Sequence, residues 1–242
     1  MTTLPSLTAS PTRHPGCCLS LSRPLLTTLA SLLDSSISPS HHPSDPPALI
    51  LSIGSGTGLL EELLHAHLDP DPPPAAAAPP GGRWRRRRWC VEGVEVDPPA
   101  VNVHLPEDRV NRVPGTWAVL GSRARDAAAL LFVYPRDGAL VRRYVNAFLR
   151  QRRRSPRVGS PREEDEDEER RTTYGEGQGG DSGDRRRADI VIWLGPKCDW
   201  EDTGLGSLLG PDDEDELEIL VMCDGAGLAE YEMLAALRRK AC

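Results

Sequence analysis

The chain has 242 residues, 38% of them hydrophobic and only 5% aromatic, a formal net charge of −7, 22 glycines and 23 prolines. That suffices for one α/β domain around a modest aliphatic core, with glycine, proline and charge gathered into runs that build no core. No apolar stretch reaches the ~18 residues of a membrane-spanning helix, the first 22 residues carry no secretory apolar segment, and the six cysteines include no C-x-x-C pair. Membrane partners, a metal site and a disulfide framework are therefore not expected, and an intracellular compartment, cytoplasmic or nuclear, is.

Residues 1–23 are rich in Ser, Thr and Pro and read as a loose tail ahead of a single domain over 24–242. Leu25, Leu26, Leu29, Leu32 and Leu33 recur at helical spacing and predict an amphipathic helix over 24–35, with Pro24 in its first turn. A proline-rich linker with two solvated histidines, His41 and His42, follows over 36–47. Then comes the most informative stretch, Ala48-Leu49-Ile50-Leu51-Ser52-Ile53-Gly54-Ser55-Gly56-Thr57-Gly58. It reads as a buried strand, a tight turn and a helix start over 59–68. Glycines suit a turn that needs unusual φ and lets a ligand approach the backbone. The helix behind them offers unpaired N–H groups and the positive end of its dipole.

Residues 69–88 form a low-complexity insertion, ending in an arginine run with Trp84. A strand over 89–97 contains Glu95, with Asp97 as a second acid at its end. Glu95 lies 37 positions after Gly58, or 17 once the 20 residues of the insertion are set aside. That is close to the ~20 at which nucleotide-binding α/β folds place an acid for the ribose hydroxyls. After an irregular stretch over 100–112, a strand runs into Gly115-Thr116-Trp117. Another, over 127–134, ends in Tyr134-Pro135-Arg136-Asp137 and is followed by a helix over 138–149. The largest insertion, 150–188, places an arginine block beside the acidic run 163–169. Opposite blocks this close neutralise each other, which argues for a solvated loop and against a nucleic-acid partner. A strand over 189–196, an acidic loop insertion over 199–216, a strand over 217–223 and a closing helix over 227–240 complete the chain.

The glycine spacing discriminates among ligands. A P-loop is excluded, because no Gly-Lys-Ser/Thr follows, and the G-x-G-x-x-G of dinucleotide folds is broken by Leu59 where the third glycine would stand. The G-x-G-x-G actually present, with Gly-Val-Glu-Val-Asp ending the next strand, resembles class I S-adenosylmethionine-dependent methyltransferases. The resemblance implies a Rossmann-like, doubly wound, mostly parallel sheet with helices on both faces, and S-adenosylmethionine as cofactor. It implies cofactor contacts from Gly54, Ser55, Gly56, Thr57, Gly58 and Glu95, and from Thr116 and Trp117 at the adenine, where a core tryptophan is the equal alternative. It places the substrate-side loop at the end of the 127–134 strand, with Tyr134 and Asp137 as the candidate catalytic residues and a methyl acceptor, small molecule or protein, left open. Three departures stand beside it. Ser52 occupies the place of an acid two residues before the first glycine, Tyr-Pro-Arg-Asp replaces the Asp/Asn-Pro-Pro-Tyr of amino-methylating members, and the closing hairpin of the sheet reads as incomplete. They keep a catalytically inactive, methyltransferase-like scaffold as an alternative, beside a nicotinamide-dependent oxidoreductase.

Overall fold

A computed structural model describes residues 3–36, 46–68, 88–96, 101–115, 118, 121–149, 188–206 and 217–240. The sheet is organised around β3 (Ala48–Ile53), which is buried along its whole length. Parallel β4 (Trp89–Val96) lies on one side of it and parallel β6 (Ala127–Val133) on the other. Beyond β4, β5 (Val110–Val113) forms one edge. Beyond β6 stand parallel β7 (Ile190–Pro196), then β9 (Glu232–Arg239), the one strand running against the others, and at the other edge β8 (Leu217–Cys223), antiparallel to β9 and so aligned with the rest. The order β5-β4-β3-β6-β7-β9-β8 is that of a doubly wound, mostly parallel α/β sheet, as expected. The chain leaves β3 in one direction for β4 and later returns on the other side for β6, and such reversals leave a crevice at the strand C-termini.

Near-continuous apolar strands bury both faces. On one face Ile50, Val91, Leu131 and Ile192 pack against α1 (Arg23–Ser36) and α2 (Leu59–Leu68). On the other, Leu49, Leu51, Phe132 and Trp193 pack against α4 (Gly138–Tyr144) and the π-turn Val145–Leu149 that continues it. Between β5 and β6 lies a short helix, α3 (Gly121–Asp126). Among the described residues no helix is long and apolar enough to cross a membrane.

Three sequence expectations need correction. The closing helix over 227–240 is the strand β9, which has β7 on one side and β8 on the other. Its positions 232–237 are all buried, so it lacks the alternation that marks a half-exposed strand, and its Leu, Ala and Arg content favours helix in isolation. The hairpin thought incomplete is therefore present. The loose tail is also packed: Leu19 and Leu21 are fully buried, and Thr12–Arg13 (β1) pairs antiparallel with Ser20–Leu21 (β2). The Ser22 hydroxyl donates to Gly227 O at 2.6 Å and accepts from Leu25 N at 3.2 Å, starting α1 and fastening it to the turn before β9. Too few apolar residues lie in this segment to show a period, so only their tertiary partners reveal them. Finally, the first part of the acidic loop folds: α5 (Trp200–Thr203) buries Trp200 edge-on to Trp193, 5.4 Å between ring centroids, and Leu205 is buried behind it. The rest of that loop, and nearly all of the insertions 69–88 and 150–188, lie outside the described residues.

Candidate functional site

The site is built by the turn between β3 and α2. Gly54, Gly56 and Gly58 have φ of 79°, 58° and 75°, a region costly for any residue with a side chain. Their surroundings differ. A Cβ on Gly58 would stand 2.8 Å from Asn102 Oδ1 and Leu105 Cγ, so this glycine lets the 101–105 segment close against the turn. A Cβ on Gly54 would meet nothing within 4 Å, and one on Gly56 only Gly16 O at 4.0 Å. These two glycines turn open backbone outward. The turn hangs from the sheet through Gly54 N, which donates to Val94 O at 2.9 Å, and closes through Gly58 N to Ser55 O at 3.0 Å.

Glu95 comes from the neighbouring strand. Its Oε1 accepts the Gly56 N–H and, at 3.4 Å, the Ser55 hydroxyl. Burial pushes this carboxyl up, and those two donors together with the Val96 N–H offset part of the effect. The strand-end acid is thus brought against the turn, while the fallback Asp97 lies outside the described residues. Thr57 faces the other way. Its hydroxyl donates to Gly16 O at 3.2 Å, and its carbonyl accepts from Val103 N and His104 N, both at 3.0 Å. Thr116 and Trp117 lie outside the described residues.

The register Ile53↔Phe132 sets Tyr134 at the same end of the sheet as the turn. Its φ of 48° is unusual for a residue with a side chain. Its hydroxyl donates to Glu232 Oε1 at 2.6 Å, and Glu232, fully buried, also accepts from Ser20 N at 3.0 Å and Ala229 N at 3.1 Å. Burial, reinforced by the Glu232 carboxylate, drives the Tyr134 phenol well above its ordinary value, so it holds its proton at neutral pH. Asp137 caps α4, accepting from Ala139 N at 2.9 Å. The structure therefore gathers turn and Glu95 into one constellation, ties Tyr134 into a second with Glu232, and leaves Asp137 at a helix end.

Two acids of this region escaped the sequence reading. Glu61, in the first turn of α2, is 1% exposed, and its Oε1 accepts from the Ser52 hydroxyl at 2.6 Å. An acid set among Leu59, Leu60, Leu63 and Leu64 was the available signal. Glu232 was hidden by the mistaken closing helix. Among the described residues no group of three His, Cys, Asp or Glu could hold a metal ion.

No family model matches the chain, and no curated protein matches it. Among solved structures it is similar to precorrin-6y C5,15-methyltransferase from Geobacter metallireducens GS-15, at 10% identity and TM-score 0.42 over 98% of this chain and 100% of that one. A Streptococcus pneumoniae protein, described as a candidate tRNA (m1A22) methyltransferase in complex with S-adenosyl-L-methionine, aligns at 11% identity and TM-score 0.39 over 90% and 72%. A human methyltransferase 10 domain containing protein aligns at 10% identity and TM-score 0.45 over 93% and 85%. On its own sheet order and glycine turn, the chain has a Rossmann-like, doubly wound α/β fold.

Proposed function

We propose that the chain binds S-adenosylmethionine at the turn after β3 and transfers its methyl group to an acceptor, small molecule or protein. The observation that carries this is the meeting of open glycine backbone at Gly54 and Gly56 with the Glu95 carboxylate on the Gly56 N–H. A ligand reaching those glycines finds a carboxylate acceptor beside backbone that no side chain covers, at the end of the sheet where open α/β folds take nucleotides. The residues present fit the cofactor. Glu95 would accept its ribose hydroxyls, the backbone of 54–58 would let it come close, and Thr116 and Trp117 are assigned to its adenine. When bound, S-adenosylmethionine supplies a methyl group already activated on a sulfonium. The protein's task is then alignment and exclusion of water more than covalent chemistry.

A second reading has its own observation. The Tyr134 hydroxyl is committed to Glu232 and Asp137 to the end of α4, so neither candidate base stands ready to take a proton. A binding or scaffold protein would keep the turn and Glu95 and need no base. The nicotinamide reading lacks such support, because Leu59 is the buried first residue of α2 where that motif needs its glycine.

Calorimetric titration with S-adenosylmethionine, S-adenosylhomocysteine, NAD and NADP tests the proposal. We expect micromolar affinity for the first two and none for the nicotinamides. Glu95→Ala should weaken binding by about 1–3 kcal/mol through loss of hydrogen bonds to a charged group. Gly56→Val should abolish it, since valine is strained at the φ of 58° and fills the open side. Undiminished binding in both variants, or preference for NAD(P), overturns the proposal. Binding without radiolabelled methyl transfer to cell-extract proteins or metabolites supports the scaffold reading.

A further inference from the structure

Ser52 and Glu61 form a buried pair beneath the glycine turn. Ser52, two residues before Gly54, is fully buried, and its hydroxyl donates to Glu61 Oε1 at 2.6 Å. Glu61 is 1% exposed, and its other oxygen, Oε2, has no hydrogen-bond partner among the described residues. A buried carboxyl oxygen left unpaired is costly, and such groups call for an explanation in function. The surroundings say what is missing. The groups that act on Glu61 are the Ser52 hydroxyl from β3, its own backbone N–H and the Glu95 carboxylate from β4. From the amino-terminal segment comes Cys17, a thiol that burial pushes up to about 12 and so keeps neutral. Among the described residues no arginine, lysine or histidine forms an ion pair with Glu61, although Glu62, the next residue, pairs with Arg109. None of the groups named as acting on Glu61 is a cation, and the unused acceptor lies in the first turn of α2, directly after the ligand turn.

We propose that Glu61 is a ligand-binding residue whose free oxygen takes the ammonium group of the molecule held at the glycine turn. The inference rests on the S-adenosylmethionine reading, in which the ligand carries an amino-acid end. The carboxylate for that end is supplied by the helix, through Ser52, and not by the strand itself. Ser52 orients the carboxyl and leaves Oε2 to the ligand.

The test uses two probes on the full chain. S-Adenosylhomocysteine carries the ammonium, and 5′-methylthioadenosine has the same nucleoside and thioether without the amino-acid end. Wild type should bind both. Glu61→Gln, which keeps the shape and an acceptor for Ser52, should weaken S-adenosylhomocysteine about 10- to 100-fold and leave 5′-methylthioadenosine within about twofold, since one charge-assisted contact is lost. If Glu61→Gln loses both probes, the exchange Ser52→Asp with Glu61→Ser decides. Regained S-adenosylhomocysteine binding supports the proposal, and no recovery overturns it. Wild-type binding of both probes with Glu61→Gln unaffected overturns the role of Glu61 alone. Failure of wild type to bind either overturns the S-adenosylmethionine reading itself.

Discussion

Burial pushes the Glu61 carboxyl up to about 7, from an ordinary 4.5, and the Ser52 hydrogen bond offsets only part of the effect. A folded value above the unfolded one means that the native state holds the proton longer. Stability therefore falls as pH rises through the window from 4.5 to about 7, and above it the wild type carries the full penalty, on the order of 3 kcal/mol. Glu61→Gln does not titrate. Its thermal midpoint should exceed that of wild type at about pH 8, and the difference should shrink below about 1 kcal/mol near pH 5. Equal midpoints across that range would mean that the Glu61 carboxyl is not buried as described. A residue that costs stability at neutral pH is what a binding group held ready for a cation looks like. At this scale the sequence was most legible where backbone geometry dictates residue type. The alternate glycines before α2 are required by three positive φ values, and Glu95 by its reach to the Gly56 N–H. Glu61 was less legible, because an acid in the first turn of a helix is ordinary; its setting among leucines was the one signal, and the Ser52 hydrogen bond shows that it points inward.

Elements with a strong local signature were read correctly. β3, β6 and β7 are near-continuous apolar runs, because parallel strands in the middle of a sheet are covered on both faces. β9 has the same burial but helix-favouring residues, and only its pairing with β7 and β8 decides its form. The form of β9 matters to the site, since the strand begins with Glu232, the acceptor for Tyr134. That hydrogen bond joins the end of β6 to the start of β9, and Ser20 N brings the amino-terminal segment to the same carboxylate. A phenol that serves as such a tie is positioned by structure and not by substrate. Tyr134→Phe should therefore destabilise the protein by about 1–3 kcal/mol, the cost of a lost hydrogen bond to a charged group. It should leave S-adenosylhomocysteine affinity unchanged. Unaltered stability together with loss of methyl transfer would return Tyr134 to a catalytic role.

In the whole molecule, the two faces of the sheet are filled by elements lying far apart in the chain, and this arrangement says what the insertions contribute. One face is closed by the amino-terminal segment, α1 and α2, and the other by α4, its π-turn and α5. Leu149 and Ala188, which bound the longest insertion, are both fully buried and belong to the same apolar cluster. The chain therefore leaves that cluster and returns to it. The intervening sequence is mostly Arg, Glu, Asp and Gly and contributes little apolar surface that could pack. Replacing 152–186 by a Gly/Ser linker of about ten residues, with an r.m.s. reach of roughly 17 Å, should preserve the fold. The thermal midpoint should stay within about 2 °C, equivalent to less than about 1 kcal/mol for a chain of this size. S-Adenosylhomocysteine affinity should also hold, because the turn, Glu61 and Glu95 all lie before the excised segment. A fall of more than about 5 °C would show that this charged stretch packs against the core despite its composition. A loss of affinity at unchanged stability would instead place part of it over the ligand.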